Sequence, residues 1–320
     1  MPILDMPLEK LRVYEGRNPR PADFDEFWDA SVAEINSIDP CATFKHYEFV
    51  SAIADAYELT YTSTKGARIY AKFLKPKNIN GKAPALLRFH GLSGSSPDWS
   101  DLLSWVSQGF VVAAMDARGQ GGYSEDVGGV PGTTHTNQVV RGLDGKPSDL
   151  YFRDLFLDTA QLARVVMALD YVDESRVAAH GGSQGGALSL ACAALVPSLK
   201  LCAPMYPYLC DYKRVWEMDL DKDAYIGMRY YLRAFDPTHE HIDEFFTKLG
   251  YIDLQYLVPR IKAKVYMSTG LMDNICPPST QFAAYNKITS DKQMEIYPDF
   301  GHENLKGAPD RIFSFVCKNI

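Results

Sequence analysis

The sequence from Pro84 onward alternates short apolar runs with longer amphipathic stretches, and glycine-rich loops lie between them. Strands that alternate with helices in this way form parallel sheets that are covered on both faces. We therefore expect an α/β fold with a mostly parallel, twisted sheet and helices on both faces. The predicted helices lie near 98–107, 151–170, 185–196, 278–288 and 308–318, and the predicted strands are ALLRFHG, FVVAAMDA, RVAAHG, KLCAPMY, AKVYMSTG and QMEIYP.

Four segments fall outside this alternation. The stretch 23–36 has helical spacing and predicts an N-terminal helical extension, whereas 56–76 alternates on both sides of a Lys-Gly turn and predicts a hairpin. Residues 119–150 are rich in Gly, Thr, Asp and Pro and predict a long loop. Residues 207–255 are helical in pattern. We interpret them as a helical insertion, acting as a lid or an oligomer interface, in a single domain that spans 1–320.

The insertion is dense in both charged and aromatic residues. Because interfaces are enriched in aromatics and arginines, this density favours an interface over a plain core segment. We therefore expect a homo-oligomer with the insertion at one of its contacts. The aromatic residues in question are Tyr208, Tyr212, Trp216, Tyr225, Tyr230, Tyr231 and Phe235.

Charge and hydropathy exclude several classes of partner. The 33 basic and 40 acidic residues give a net charge of -7, so the chain lacks the basic footprint of a nucleic-acid binder. No run approaches the ~20 apolar residues of a membrane helix, and charges interrupt the opening segment where a signal peptide needs an apolar stretch. We therefore expect a cytoplasmic protein that binds neither nucleic acid nor membrane.

The cysteines predict neither disulfides nor a metal site. They form no CxxC pair, and several lie in apolar strand or helix patterns, which is typical of buried free thiols. No other metal-ligand spacing occurs, so we expect no metal and no cofactor. The six cysteines are Cys41, Cys192, Cys202, Cys210, Cys276 and Cys317.

The strongest chemical signal is the motif Gly181-Gly182-Ser183-Gln184-Gly185. It follows an apolar run and precedes a helical stretch, which is the context of a nucleophile elbow. The alternative interpretation is a plain glycine-rich turn. In an elbow the two outer glycines allow close backbone packing, and the turn presents the Ser183 hydroxyl to solvent.

A serine nucleophile needs a base, and histidine is the side chain suited to neutral pH. In the fold that carries such an elbow the chain order is serine, acid, histidine, so the base lies downstream of Ser183. His302 follows the last predicted strand and is our candidate. His239 and His241 lie in a polar part of the insertion and read as solvated surface residues. His180 lies in a buried strand and reads as a core histidine.

The third member is a carboxylate that fixes the imidazole tautomer. Asp273 follows the strand AKVYMSTG and so lies at the carboxyl edge of the predicted sheet. Asp299 and Glu303 are the alternatives because they are close to His302 in sequence. We favour Asp273, and expect Asp299 to shape the loop and Glu303 to cap the following turn.

Acyl transfer also needs two donors directed at the developing oxyanion. The backbone N–H of Gln184 lies at a helix N-terminus, and the second donor is expected from the loop after ALLRF, where we choose the N–H of Leu92. We expect His90 to brace that loop. Arg118 follows the next strand, where it reads as part of a strand-end turn or as the partner of a carboxylate.

These motifs together resemble the cephalosporin C deacetylase and acetyl xylan esterase family, the seventh carbohydrate esterase family, within the α/β-hydrolases. Its marks are Arg-Gly-Gln, Gly-x-Ser-Gln-Gly and a late His-Glu. They occur here in order, as Arg118-Gly119-Gln120, Gly181 to Gly185 and His302-Glu303. The segments DFDEFW and Pro207 to Cys210 are also similar, so the resemblance covers nearly the full length. One departure is Leu92, where many members carry an aromatic residue.

The resemblance implies an α/β-hydrolase fold and a cytoplasmic homohexamer whose active sites face an internal cavity. It implies a serine esterase that removes acetyl groups from acetylated xylo-oligosaccharides and cephalosporin C. The alternatives are a broad-specificity carboxylesterase or serine peptidase on the same fold, or a binding protein without activity. By resemblance Ser183, Asp273 and His302 form the triad, the N–H groups of Leu92 and Gln184 form the oxyanion hole, and Arg118 and Gln120 are structural supports beside the site.

Overall fold

The computed structural model describes residues 4–127 and 138–320. In these two ranges nine strands form one sheet in the order β1-β2-β3-β5-β4-β6-β7-β8-β9. The first three strands pair with one another antiparallel, β3 also pairs antiparallel with β5, and the other six strands run parallel. The strands are β1 (Thr43–Tyr47), β2 (Ala54–Thr62), β3 (Arg68–Pro76), β4 (Ala83–Phe89), β5 (Val111–Met115), β6 (Val172–Gly182), β7 (Leu201–Met205), β8 (Lys264–Gly270) and β9 (Lys292–Tyr297).

Helices cover both faces of this sheet, because side chains of successive strand residues point to opposite sides. Leu87 of β4 belongs to a core shared with α4 and α5, whereas its neighbour Leu86 packs in a second core with residues of α3 and α11. None of the described helices is long and apolar enough to cross a membrane. The helices are α1 (Leu8–Leu11), α2 (Phe24–Ser37), α3 (Leu103–Val106), α4 (Tyr151–Met167), α5 (Gln184–Leu195), α6 (Tyr212–Glu217), α7 (Ile226–Phe235), α8 (Ile242–Leu249), α9 (Leu254–Leu257), α10 (Pro278–Lys287) and α11 (Ala308–Asn319).

The parallel strands, the hairpin, the N-terminal helix and the five later helices were predicted from the sequence and are confirmed. Strand β1 was not predicted. Of the predicted long loop 119–150, residues 128–137 lie outside the described residues, and the described part contains two short 3-10 helices, Gln138–Val140 and Pro147–Asp149.

The insertion is helical, as predicted, but its aromatics do not all behave as surface residues. Tyr208, Tyr212 and Tyr225 are fully buried in the larger core, so counting them toward an interface was wrong. Their rings pack against one another, with Tyr208 and Tyr225 4.6 Å apart between centroids. Tyr230 and Phe235 are 43% and 52% exposed. The outer surface of the insertion therefore carries fewer aromatic residues than the sequence suggested.

Two buried carboxylates anchor the insertion to the chain's opening segment. Asp211 accepts hydrogen bonds from the Tyr14 hydroxyl at 2.8 Å and from the Asn18 N–H at 2.8 Å. The N–H of Asp211 donates in turn to both carboxylate oxygens of Asp253, at 3.0 Å each. Burial and the nearby charge of Asp211 raise the pKa of Asp253 to about 7. Asp253 is therefore partly protonated near neutral pH.

Candidate active site

Ser183 lies on a sharp turn between β6 and α5. Its φ of 56° and ψ of -119° are strained values for a non-glycine residue, and they turn its side chain out of the sheet. A Cβ on Gly181 would lie 2.5 Å from the carbonyl oxygen of Phe89, and one on Gly185 would clash with that same atom. Only glycine fits at these two positions, which explains the spacing of the motif.

The structure brings Ser183, His302 and Asp273 into one hydrogen-bonded line. The distance from Ser183 Oγ to His302 Nε2 is 2.9 Å, and the distance from His302 Nδ1 to Asp273 Oδ2 is 2.8 Å. The three residues follow β6, β9 and β8, so they meet at the carboxyl edge of the parallel strands. His302 is partly accessible, with 19% of its side chain exposed, whereas Asp273 is fully buried.

Asp273 is held in position by donors besides the imidazole. Its Oδ1 accepts the N–H groups of Ile275 at 2.9 Å and Cys276 at 2.8 Å, and its Oδ2 also accepts from Gln281 Nε2 at 3.3 Å. The Asp273 oxygen that faces the ring accepts a hydrogen bond, so His302 carries its proton on Nδ1. The Nε2 of His302 is then free to accept the serine proton.

The residues weighed against these candidates are not part of this hydrogen-bonded line. Asp299 is exposed, and Glu303 Oε1 accepts the N–H of Gly301 at 2.9 Å within the His302 loop. His241 is an exposed residue beside Glu244, and the His239 ring packs 5.5 Å from Trp216 within the insertion.

The two expected oxyanion donors are the backbone N–H groups of Gln184 and Leu92, and neither donates a hydrogen bond within the described part of the chain. Gln184 is the first residue of α5, so its N–H has no intrahelical acceptor. Among the described residues, the Leu92 N–H donates no hydrogen bond. The partial positive charge of a helix N-terminus adds to the first of these donors.

Gln120 connects the two segments that carry these donors. Its Oε1 accepts the N–H of Ser93 at 2.8 Å, and its Nε2 donates to Gln184 Oε1 at 2.8 Å. The same Nε2 lies 3.0 Å from the hydroxyl of Tyr151. One side chain therefore fixes the loop after β4 against the elbow.

His90 joins two loops and is held uncharged. The N–H of Ala117 donates to its Nε2 at 2.9 Å, which leaves its Nδ1 to donate to Gly91 O at 2.7 Å. Burial lowers the pKa of His90 below its usual range. A neutral imidazole with both nitrogens engaged braces the loop after β4 and is not a second base.

Arg118 lies behind the site, with its guanidinium directed into α4. It donates to Asp158 Oδ2 at 2.7 Å through Nε and to Thr64 Oγ1 at 3.0 Å through Nη2. Both charged residues are buried, and the Arg118 carbonyl accepts the Tyr151 hydroxyl at 2.5 Å. Arg118 thus supports the turn that carries Gln120.

A cavity of about 360 Å³ opens in front of Ser183 and His302. Sequence analysis missed several of its residues, including Arg88, Met205 and Tyr206, whose ring lies 4.8 Å from that of His302. They belong to no motif. The signal that could have found them is position, because each lies at the carboxyl end of a parallel strand, where ligands of α/β sheets bind.

One group of metal-ligand types occurs among the described residues: Asp273, Cys276 and His302, with ligand atoms within 4.8 Å of one another. The carboxylate and imidazole are already hydrogen-bonded, and burial raises the pKa of the Cys276 thiol well above its usual range. Metals bind the thiolate, so a protonated thiol fits a metal poorly.

Comparison with known proteins gives concordant matches. Acetyl xylan esterase 1 from Thermoanaerobacterium sp. JW/SL YS485 has a TM-score of 0.97 and 53% identity, covering 98% of this chain and 99% of its own. Acetyl xylan esterase from Paenibacillus sp. R4 has a TM-score of 0.90 and 33% identity, covering 98% and 100%.

A curated relative, the acetyl esterase Axe7A of Xylanibacter ruminicola, is 28% identical over 297 residues, which is 91% of this chain. This chain spans 64% of that relative's own length. Residues 1–319 match the model of the family described as acetyl xylan esterase, AXE1. With the two structural relatives, that match shows that the chain belongs to the acetyl xylan esterase family, a family of carboxylic ester hydrolases with the α/β-hydrolase fold.

Proposed function

We propose that the chain is a serine esterase that removes acetyl groups from small O-acetylated substrates. The observation that carries this proposal is the hydrogen-bonded line from Ser183 through His302 to Asp273. Nucleophile, base and orienting acid within hydrogen-bond reach are the geometry of acyl transfer.

The reaction begins as Ser183 Oγ attacks the acetyl carbonyl carbon and His302 Nε2 takes the serine proton. The carbonyl oxygen becomes an oxyanion and accepts from the N–H groups of Gln184 and Leu92. His302 then gives its proton to the departing alcohol oxygen, which leaves acetyl-Ser183. Water attacks this ester with His302 again as base, and acetate leaves as the proton returns to Ser183. Throughout, Asp273 stabilises the imidazolium of His302.

The proposed substrates are acetylated xylo-oligosaccharides and cephalosporin C. The names of the two structural relatives support the first, and the resemblance of the sequence motifs supports the second. The cavity is of a size suited to small molecules, which bind in pockets of roughly 300–1,000 Å³.

We also propose that the chain works in the cytoplasm as a closed homo-oligomer, a hexamer, with the insertion at an interface. All six cysteines lie in the described ranges and are unpaired thiols, as a reducing compartment favours. The exposed Phe235 lies beside Tyr231 and Phe245 on one groove of the insertion, which supports a contact surface there.

A series of aryl esters from acetate to octanoate, followed by acetylated xylobiose and a dipeptide amide, tests the proposed activity. We expect the highest kcat/KM on acetates and cleavage of acetylated xylobiose. A flat profile across acyl lengths indicates a broad carboxylesterase, cleavage of the amide indicates a peptidase, and no turnover indicates a binding protein. The matched control is Ser183→Ala, which we expect to lower kcat by about 10⁶ while the fold survives. Activity within tenfold of the wild type would contradict the role of Ser183.

A further inference from the structure

Arg88 lies in the catalytic cavity without a partner. It is the penultimate residue of β4, next to His180 of β6, and it lines the same cavity as Ser183 and His302. Its guanidinium makes no hydrogen bond and no ion pair with any described residue, and its Nη1 is buried with no acceptor. Arg88 is also the only permanently charged side chain among the described residues that line this cavity.

A guanidinium without a hydrogen-bond or ion-pair partner destabilises the protein when no ligand is bound. Arg88 is partly exposed to the cavity, but its Nη1 is buried, and a buried charged group is stable only when it is paired or hydrogen-bonded. Arg118 meets this condition here through Asp158. Burial alone lowers the pKa of Arg88, to about 10, which leaves the guanidinium charged at neutral pH.

The neighbouring residues do not compensate the charge. His180 Nδ1 is engaged with Ala203 O at 2.7 Å, and burial, followed by the charge of Arg88, lowers the pKa of this histidine. The cavity wall that includes Pro97 is held by Lys72, whose Nζ donates to Pro97 O at 2.7 Å, so another cation lies behind it. No described residue compensates Arg88, so the cavity that it lines is the route by which a partner can reach it.

We propose that Arg88 binds a carboxylate on the alcohol part of the substrate, so that the preferred substrates are acetyl esters of sugar acids or comparable hydroxy acids. This inference rests on the proposed esterase function. The planar guanidinium matches a carboxylate in a two-point hydrogen bond, and a neutral acetyl group offers no such partner. The net charge of -7 gives no general attraction for anions, so the preference depends on this one residue.

A matched pair of substrates tests the proposal: a monoacetylated methyl glucuronoside and its carboxamide, which differ only in the charge of one group. We expect kcat/KM to be ten- to a hundredfold higher for the carboxylate in the wild type. Arg88→Gln should reduce this ratio to about one, and Arg88→Lys, which keeps the charge without the planar fork, should give an intermediate ratio. Arg176→Gln is the control, since that arginine pairs with Asp173 on a partly exposed surface and should keep the wild-type ratio.

A second measurement uses the wild-type protein alone. Non-acetylated methyl glucuronoside should inhibit hydrolysis of an aryl acetate at least tenfold more strongly than its carboxamide. Equal inhibition by the two, or a substrate ratio near one in the wild type, would overturn the inference while leaving the esterase function intact. Inhibition by acetate as strong as by the glucuronoside would place the anion site on the acyl side and also overturn it. Absence of turnover on every acetate would instead refute the esterase function.

Discussion

The orientation of His302 depends on Asp273, which accepts from its Nδ1 and is fixed by the N–H groups of Ile275 and Cys276. We expect Asp273→Asn to lower kcat by about 10⁴, because the amide stabilises the wrong imidazole tautomer. Steady-state kinetics on an aryl acetate measures the loss. Asp299→Asn is the matched control and should retain activity, because Asp299 is exposed. If the loss occurs in Asp299→Asn instead, the acid has been misassigned.

Asp253 gives a prediction about stability rather than rate. The pKa of Asp253 is about 7 in the folded chain, against an ordinary value of 3.8, so the folded state binds more protons than the unfolded state between these pH values. The free energy of unfolding therefore loses a contribution as pH rises from about 4 to about 7, on the order of 4 kcal/mol.

Urea unfolding at pH 5 and pH 7.5 measures this effect. Between pH 5 and pH 7.5 the wild type should lose more free energy of unfolding than Asp253→Asn does, because the asparagine side chain does not titrate. Asp243→Asn, at an exposed position of the same insertion, is the control and should follow the wild type. Equal pH dependence in Asp253→Asn and the wild type would contradict the raised pKa.

The candidate triad could be predicted from sequence because each member has a local signal: a motif for Ser183, and a position after a strand for Asp273 and His302. Arg88 and Tyr206 could not, since each is an ordinary strand-end residue until the sheet order is known. The pairing of β4 with β6 places Arg88 beside His180, and no spacing within the chain encodes that contact.

At the scale of elements, Gln120 joins the turn after β5 to the loop after β4 and to the start of α5. We expect Gln120→Ala to lower kcat by about 10- to 100-fold with a smaller change in KM, because misplaced oxyanion donors act on the transition state. Gln108→Ala is the control, because this glutamine is exposed and its side chain bonds only to Ser107 among the described residues. An unchanged kcat, or a change confined to KM, would show that Gln120 does not position these donors.

The parallel strands could be predicted because they are buried on both faces and therefore read as continuous apolar runs. Strand β1 has no such pattern. Its residues TFKHY are mostly exposed, and its structure comes from pairing with β2, as between Thr43 and Thr60. The aromatic residues of the insertion were misinterpreted because charged residues lie next to them in the sequence. Those charges suggested a surface position for Tyr208 and Tyr225, which are buried.

At the scale of the whole molecule, we expect a closed homo-oligomer with the mass of a hexamer in light scattering at micromolar concentration. Phe235→Glu should lower that mass, because it places a charge on the exposed aromatic groove of the insertion. Val50→Glu is the control, at a residue 96% exposed and far from the insertion in sequence.

The same assembly predicts a substrate size limit. Active sites that face an enclosed space should act on short acetylated xylan and not on the polymer. A monomeric mass with equal specific activity on both would refute the assembly. The single domain over 1–320 stays a prediction, supported by a core that contains residues of both sheet and insertion.

The order of the site residues along the chain has a consequence for biosynthesis. Ser183 precedes His302 by 119 positions, and the two meet only after β9 has joined the sheet edge. At ~5–20 residues per second the ribosome adds Ser183 roughly 6–24 s before His302. During that interval the nascent chain carries the turn at Ser183 without the imidazole that we propose as its base. On the proposed mechanism, we expect nascent chains that end before His302 to lack esterase activity until the last strand and its loop are in place.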